Sequence, residues 1–175
     1  KNTVQTIIAP SGAFGIAVNV PLNNPFLTDA QRNAFCNFDT NNGVGYTPRF
    51  DATTCAAAAN PNLRPGDAAY REVTVSLSRR AAETGPRVST YTTQIFDYRL
   101  GFRGGITDTI NWDVSGGYGE SENLQNIGGY TLNSRFRQGV RAGRDAKGNP
   151  VCFDTSNNCT PVNIFGAEGA ITPDQ

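Results

Sequence analysis

Apolar and polar positions alternate most cleanly between residues 91 and 121. The even positions Phe96, Tyr98, Leu100, Phe102, Ile106, Ile110, Trp112, Val114 and Tyr118 are apolar or aromatic, interrupted by Gly104 and Gly116. The odd positions Asp97, Arg99, Gly101, Arg103, Gly105, Asn111, Asp113, Ser115, Gly117 and Gly119 hold no large apolar residue. Period two with one greasy and one polar face predicts two β-strands. Their arms span about 92–106 and 110–121, joined at Thr107-Asp108-Thr109. A simple turn there places Ile106 opposite Ile110, Phe102 opposite Val114 and Tyr98 opposite Tyr118. Arg103 then faces Asp113, a favourable cross-strand pair. Gly104 faces Trp112, whose indole can cover a residue with no side chain. A bulge in the turn would move this register by one residue.

Elsewhere the pattern is weaker. Val73, Val75 and Leu77 alternate with Thr74, Ser76 and Ser78, which predicts a strand within 71–80. Residues 1–8 read as the end of a strand. Residues 9–70 show no sustained periodicity and carry Pro10, Pro21, Pro25, Pro48, Pro61 and Pro65. Two short helical pieces fit inside them: Thr28 to Phe35, with Thr28 as N-cap and Asp29 in the first turn, and a turn at Ala56 to Ala59. Gly85 and Pro86 break the pattern as a hairpin or bulge. Tyr130, Leu132, Ser134 and Phe136 alternate with Thr131, Asn133, Arg135 and Arg137, which suggests another strand. Residues 144–154 predict a tight hairpin about Lys147-Gly148-Asn149. The chain thus divides into a strand end (1–8), a long loop region with a hairpin (9–90), an amphipathic hairpin (91–121) and a second loop region (122–175). Structureless stretches this long are uncommon and are usually functional excursions from a larger scaffold.

Composition sharpens the picture. The chain has 19 Gly and 10 Pro, and no apolar run reaches the ~18 residues a membrane-spanning helix needs. Lys plus Arg equals Asp plus Glu at 15 each, so no basic face invites nucleic acid. There is no Met and no leader-like segment, which leads us to expect an interior piece of a longer protein. Cys36, Cys55, Cys152 and Cys159 allow three pairings. Each pair sits in an Asn-, Asp-, Thr- and Gly-rich segment, so local pairing, Cys36 with Cys55 and Cys152 with Cys159, is expected, in an oxidising compartment.

Catalytic signals are faint. With no His, the usual acid–base group is missing. Neither a nucleophile elbow nor a phosphate-binding glycine loop is present, and no cofactor or metal is expected. Asp39-Thr40-Asn41-Asn42-Gly43 superficially suggests a calcium loop. Its Gly is misplaced and no Glu closes it, so a turn is the better reading. Asp154 to Asn158 fails in the same way. Asp97 and Asp113 could be imagined as a glycosidase pair. Beside Arg99 and Arg103 on alternating strand positions, they are better read as a charge ladder of ion pairs; the competing reading has Arg99 and Arg103 line the path of an anionic solute. The chain is read as not an enzyme.

The amphipathic hairpin fits two settings. In a soluble sandwich its greasy face is core; in an outer-membrane barrel that face meets lipid and the polar face lines the lumen. Three features favour the barrel. The apolar stretch of each arm matches the ~9–11 residues of a tilted membrane strand. Aromatics sit at its ends, with Trp112 near the turn and Phe96, Tyr98 and Tyr118 far from it. A short turn on one side contrasts with long loops on the other.

Three strings also resemble a family. STYTTQIFDYRLGFRGGITDTINWDVSGGYGESEN looks like a barrel hairpin of the large TonB-dependent receptors of Gram-negative bacteria. NNPFLTDAQRNAFC and GNPVCFDTSNNCTPVNIFGAEGAITPDQ are similar to loop segments of the same receptors. The resemblance implies an all-β fold: antiparallel strands of an outer-membrane β-barrel with long extracellular loops, not closed by this chain alone. It further implies import of a scarce solute (siderophore, cobalamin, saccharide or peptide) with energy relayed by the TonB complex. Implied partners are outer-membrane lipid, the remaining barrel strands and plug, the TonB complex through parts outside this chain, and the small-molecule substrate. Neither a plug nor a TonB-binding box is recognisable here, and a few strands cannot close a barrel. Asp97, Arg99, Arg103 and Asp113 would face the lumen. The competing expectation is a secreted, disulfide-stapled β-rich binding or adhesion module.

Overall fold

The computed structural model describes residues 2–10, 16–41, 45–80 and 82–172. Among the described residues, seven strands and three α-helices follow in the order β1 (Asn2–Pro10), β2 (Ile16–Pro21), α1 (Asp29–Cys36), α2 (Ala52–Ala58), β3 (Glu72–Leu77), β4 (Pro86–Thr107), β5 (Ile110–Gly128), α3 (Asn133–Val140), β6 (Ala142–Arg144) and β7 (Pro150–Cys152). The strands form three sheets, β1-β4-β5, β2-β3 and β6-β7. The last two sheets and the β4-β5 pair are antiparallel. So is β1 against β4: Thr3 meets Thr92 and Gln5 meets Thr90, so the numbers run in opposite senses. The chain forms two compact units, one of residues 1–9 with 86–129, the other of residues 10–85 with 130–175.

The first unit is the three-stranded sheet. Phe102 pairs with Val114, Tyr98 with Tyr118, Arg103 with Asp113 and Gly104 with Trp112, as the alternation predicts. The turn differs. Thr107, not Ile106, pairs with Ile110, and the register shifts between Gly105 and Thr107. Thr107 Oγ1 accepts the N–H groups of Thr109 at 3.4 Å and Ile110 at 3.1 Å. That hydroxyl tightens the turn and leaves Ile106 as the extra residue of a bulge. Both strands also run beyond the alternating stretch. β4 begins at Pro86, straight after a 3₁₀ turn at Ala82–Thr84 and Gly85 (φ +80°), where a hairpin or bulge was expected. β5 continues to Gly128. At their far ends the two strands close up: a Cβ on Gly129 would lie 2.6 Å from the Pro86 carbonyl oxygen.

The second unit has its own core. Val18, Val20 and Leu22 from the β2 region, Val73 of β3, Phe136 and Val140 of α3, and Val162, Ile164 and Ile171 are all buried in one cluster. β2 pairs with β3 from Ile16↔Leu77 to Pro21↔Glu72. It lies in the stretch that showed no sustained periodicity, because its Ile16-Val18-Val20 alternation is short and bracketed by prolines. The expected helix at Thr28 forms with a capping box: Thr28 Oγ1 accepts from the Gln31 N–H at 3.2 Å and Gln31 Oε1 from the Thr28 N–H at 2.9 Å. α2 is longer than the expected turn. Its first turn is capped by Asp51, whose carboxylate accepts from the Thr54 N–H at 2.7 Å.

The strand expected over residues 130–137 is instead helix α3. Phe136 and Val140, one turn apart, are buried with Gly139 between them. Gly139 is close-packed: a Cβ there would lie 2.7 Å from Val162 Cγ2 and 2.9 Å from the Thr160 carbonyl oxygen. Tertiary packing outweighs the accidental alternation. β6 and β7 form the expected hairpin around Gly148 (φ +85°), with Asp145 accepting from the Lys147 and Asn149 N–H groups, each at 2.8 Å.

Candidate functional site

The two faces of β4 and β5 are the first candidate. Along the even face, Tyr98 is 70 % exposed, Leu100 65 %, Phe102 60 % and Val114 62 %, far from the burial of a sandwich core. The unit holds a single sheet, so no second layer within it covers them. Phe96 stacks obliquely on Tyr98 and Tyr118, with ring centroids 5.5 and 5.8 Å away, forming an aromatic cluster at one end of the band. Trp112 lies near the other end, with exposed Ile106 and Ile110 between it and the turn, and its indole lies over Gly104, where a Cβ would fall 2.8 Å from Nε1. Beyond Phe96 the same face turns polar. Gln94 pairs with Glu122, its amide donating to the carboxylate at 3.3 Å, and Glu120 accepts from the Tyr118 hydroxyl at 3.2 Å. Phe96 to Gly104, which pairs with Trp112, is eight residues, or about 27 Å of strand at ~3.4 Å per residue.

On the odd face, Asp97, Arg99, Arg103 and Asp113 share one side as expected. The charges do not form the expected ladder. Arg99 pairs along its own strand with Asp97, Nη2 to Oδ2 at 3.2 Å. Arg103 and Asp113 are register partners, yet among the described residues no ion pair joins them. Gly117 lies opposite Arg99 and Gly119 opposite Asp97. A Cβ on Gly117 would be 3.4 Å from Arg99 Cγ, so the glycine leaves room for the arginine stem to lie along the sheet. The result is a flat polar wall bearing two cations and two carboxylates, with Asp97 and Asp113 on different strands and both beside arginine. Nothing in this wall provides an activated nucleophile or a metal cage.

Comparisons with models of known families, with curated proteins and with solved structures found no match.

The second unit is held by local staples. Disulfides join Cys36 to Cys55 and Cys152 to Cys159, the local pairing, across 19 and 7 residues. Arg79 clasps the segment after β7: its guanidinium donates to the carbonyls of Asn163, Gly166 and Ala167 and pairs with Glu83. Glu83 in turn accepts from the Gly169 N–H at 2.8 Å. Its own backbone N–H, the Gly169 N–H and the Arg79 charge outweigh burial and hold this carboxyl below its usual range. Arg141 pairs with Glu72 at 2.7 Å, and Tyr70 donates its hydroxyl to the same carboxylate. Burial, then the bond to Glu72, pushes the Tyr70 hydroxyl well above its ordinary pKa, so it stays a neutral donor. These clusters tie elements of the unit together.

Where they are described, the calcium-like strings hold their carboxylates by backbone N–H groups. Asp39 accepts from the N–H groups of Asn41 at 2.9 Å and Thr47 at 3.0 Å, which lowers its pKa. Asn42 and Gly43 lie outside the described residues. Asp154 likewise accepts from the Ser156 N–H at 2.9 Å. Among the described residues no three His, Cys, Asp or Glu side chains converge as a metal site.

Proposed function

We propose that this chain is a segment of an outer-membrane β-barrel of the TonB-dependent receptor type, and that the parent protein imports a scarce solute. The observation that carries the reading is the exposed apolar band on β4 and β5, with aromatics near both ends and carboxylates on the same face beyond Phe96. Tilted by ~40°, its 27 Å of strand span about 20 Å, close to the ~25 Å apolar band of such barrels. A water-soluble module has no use for this many exposed large side chains on one face, since contiguous apolar patches of that size are rare on monomers. The odd face, with Asp97, Arg99, Arg103 and Asp113, is the lumen wall on this reading. The second unit is the extracellular part, built from the two loop excursions that enter and leave at the strand ends far from the Thr107–Ile110 turn. The outer edges of β1 and β5 would pair with further strands, because open edges cannot persist in hydrocarbon.

The single tryptophan makes this testable. The 175-residue chain is expected to require detergent, and brominated detergent should quench Trp112 emission strongly. A chain monodisperse without detergent, with Trp112 unquenched, would return the reading to a secreted stapled module.

A further inference from the structure

We infer that the loop-built unit carries a binding pocket for a small organic anion with an apolar body. The pocket is lined by residue 84 and by residues between 131 and 171, all of that unit, and holds about 350 Å³. That volume falls at the lower end of the ~300–1,000 Å³ range of small-molecule sites. Its inner wall is the edge of the unit's core, where Phe136, Val162 and Ile171 give an apolar surface. Its rim carries Arg135, Asn158 and Thr160.

Charge selects the ligand class. Arg135 is the one charged residue among the described residues that line the pocket. Its Nη1 donates to the Asn157 carbonyl at 2.5 Å. That bond fixes the guanidinium and leaves its remaining donors without a partner among the described residues. A planar fork with free donors matches a carboxylate. No carboxylate is among the described residues of the lining, so the arginine gives the described lining its charge.

The rim is built before any ligand arrives. Asn157 and Asn158 both hold positive φ, 57° and 54°, inside the loop that the Cys152–Cys159 disulfide closes. Asparagine tolerates this left-handed backbone better than other residues with a side chain. The Asn158 amide has no side-chain partner among the described residues, so it can donate to or accept from a guest. Gln138, on the same wall, is already occupied with the carbonyls of Asp154 and Ser156, at 3.1 and 2.8 Å, and braces the loop. A fixed loop spares the ordering cost that a mobile one would incur on binding.

This inference goes beyond import and does not rest on it, because the pocket belongs to one unit and would bind whatever scaffold carries it. The test uses the 175-residue chain in detergent with phenylacetate as probe, read by saturation-transfer NMR and calorimetry. Phenylacetate should bind with Kd of about 1 mM or tighter, and its neutral amide and phenethylamine should bind at least about tenfold more weakly. Arg135→Gln should lose most of the phenylacetate affinity, and Arg135→Lys should restore part of it. Intact disulfides and an unchanged near-ultraviolet circular dichroism spectrum show that the variants fold. Absence of phenylacetate binding, equal binding of the amide, or full affinity in the folded Arg135→Gln chain would each overturn the assignment.

Discussion

Leu100→Arg tests the proposed lipid-facing role of the apolar band at its middle. Leu100 lies four residues from Phe96 and four from Gly104, the partner of Trp112. At ~3.4 Å per residue that is about 14 Å of strand in each direction, or about 10 Å along the membrane normal for a ~40–45° tilt. On the proposed barrel reading the side chain sits near the bilayer midplane, where an arginine costs roughly 2–4 kcal/mol. The same change at Gln94, on the same face but beyond the aromatic cluster, should cost about 0–1 kcal/mol, since the penalty fades at the interface. Arg99→Leu on the opposite face removes one exposed ion pair with Asp97, which is worth about 0–1 kcal/mol. The assay is guanidinium-titrated unfolding of the parent barrel in phosphatidylcholine vesicles, with the three variants side by side. Depth dependence on the even face, with a small effect on the odd face, is the expected result. Equal losses at Leu100 and Gln94, or a larger loss at Arg99, would refute the assignment of faces.

Other predictions follow from single features. Gly104→Val should displace the indole that lies over the glycine, shifting Trp112 emission to the red and weakening its quenching; an unchanged spectrum would contradict the close approach. Reducing the Cys36–Cys55 bridge should destabilise the loop unit by about 3 kcal/mol, and the shorter Cys152–Cys159 bridge by slightly less, from loop-closure entropy; thermal melts of Cys→Ser pairs check the order. The lowered pKa values of Asp39, Asp51, Asp145 and Asp154, each led by a backbone N–H, make the loop unit acid-labile. Their contribution is complete above the unfolded value of 3.8 and is lost as pH falls through the lowered folded values. The unit should therefore melt at a lower temperature near pH 3 than near pH 6, and equal melting points would contradict this.

The hairpin was legible because period two runs through both arms and each cross-strand pair is chemically sensible. Its turn was not, because the choice of Thr107 over Ile106 depends on a hydroxyl that accepts two N–H groups, which alternation does not register. α1 was legible from Thr28 and Gln31, whose caps act within four residues. α3 was misread because Leu132 at its N-cap position makes no side-chain cap. That helix is fixed by burial of Phe136 and Val140 in a core shared with residues as distant as Val18 and Ile171. The anion pocket was illegible for the same reason: Arg135, Asn158 and Ile171 come from three stretches that only tertiary packing joins. Among the four charged candidates, shared facing could be read from parity. The choice of Asp97 over Asp113 as an arginine's partner could not.

The close approach of Gly129 to Pro86 has a consequence for how the chain assembles. The loop unit is drawn from two stretches separated by the whole of β4 and β5, and its core needs both. Counted along the chain, contacts such as Asn24 to the Val140 carbonyl span 116 residues, the kind of separation that slows folding. The hairpin returns the backbone to its starting point, however, so once it zips, the second stretch resumes where the first stopped. The 44 residues from 86 to 129 then act as a short connection, and the closure entropy of a long loop is met by strand pairing. The hairpin is thus separable in sequence terms: joining Gly85 directly to Tyr130 through a few glycines, with residues 1–9 left off, would leave the loop unit's wiring unchanged, as a miniature free of the sheet.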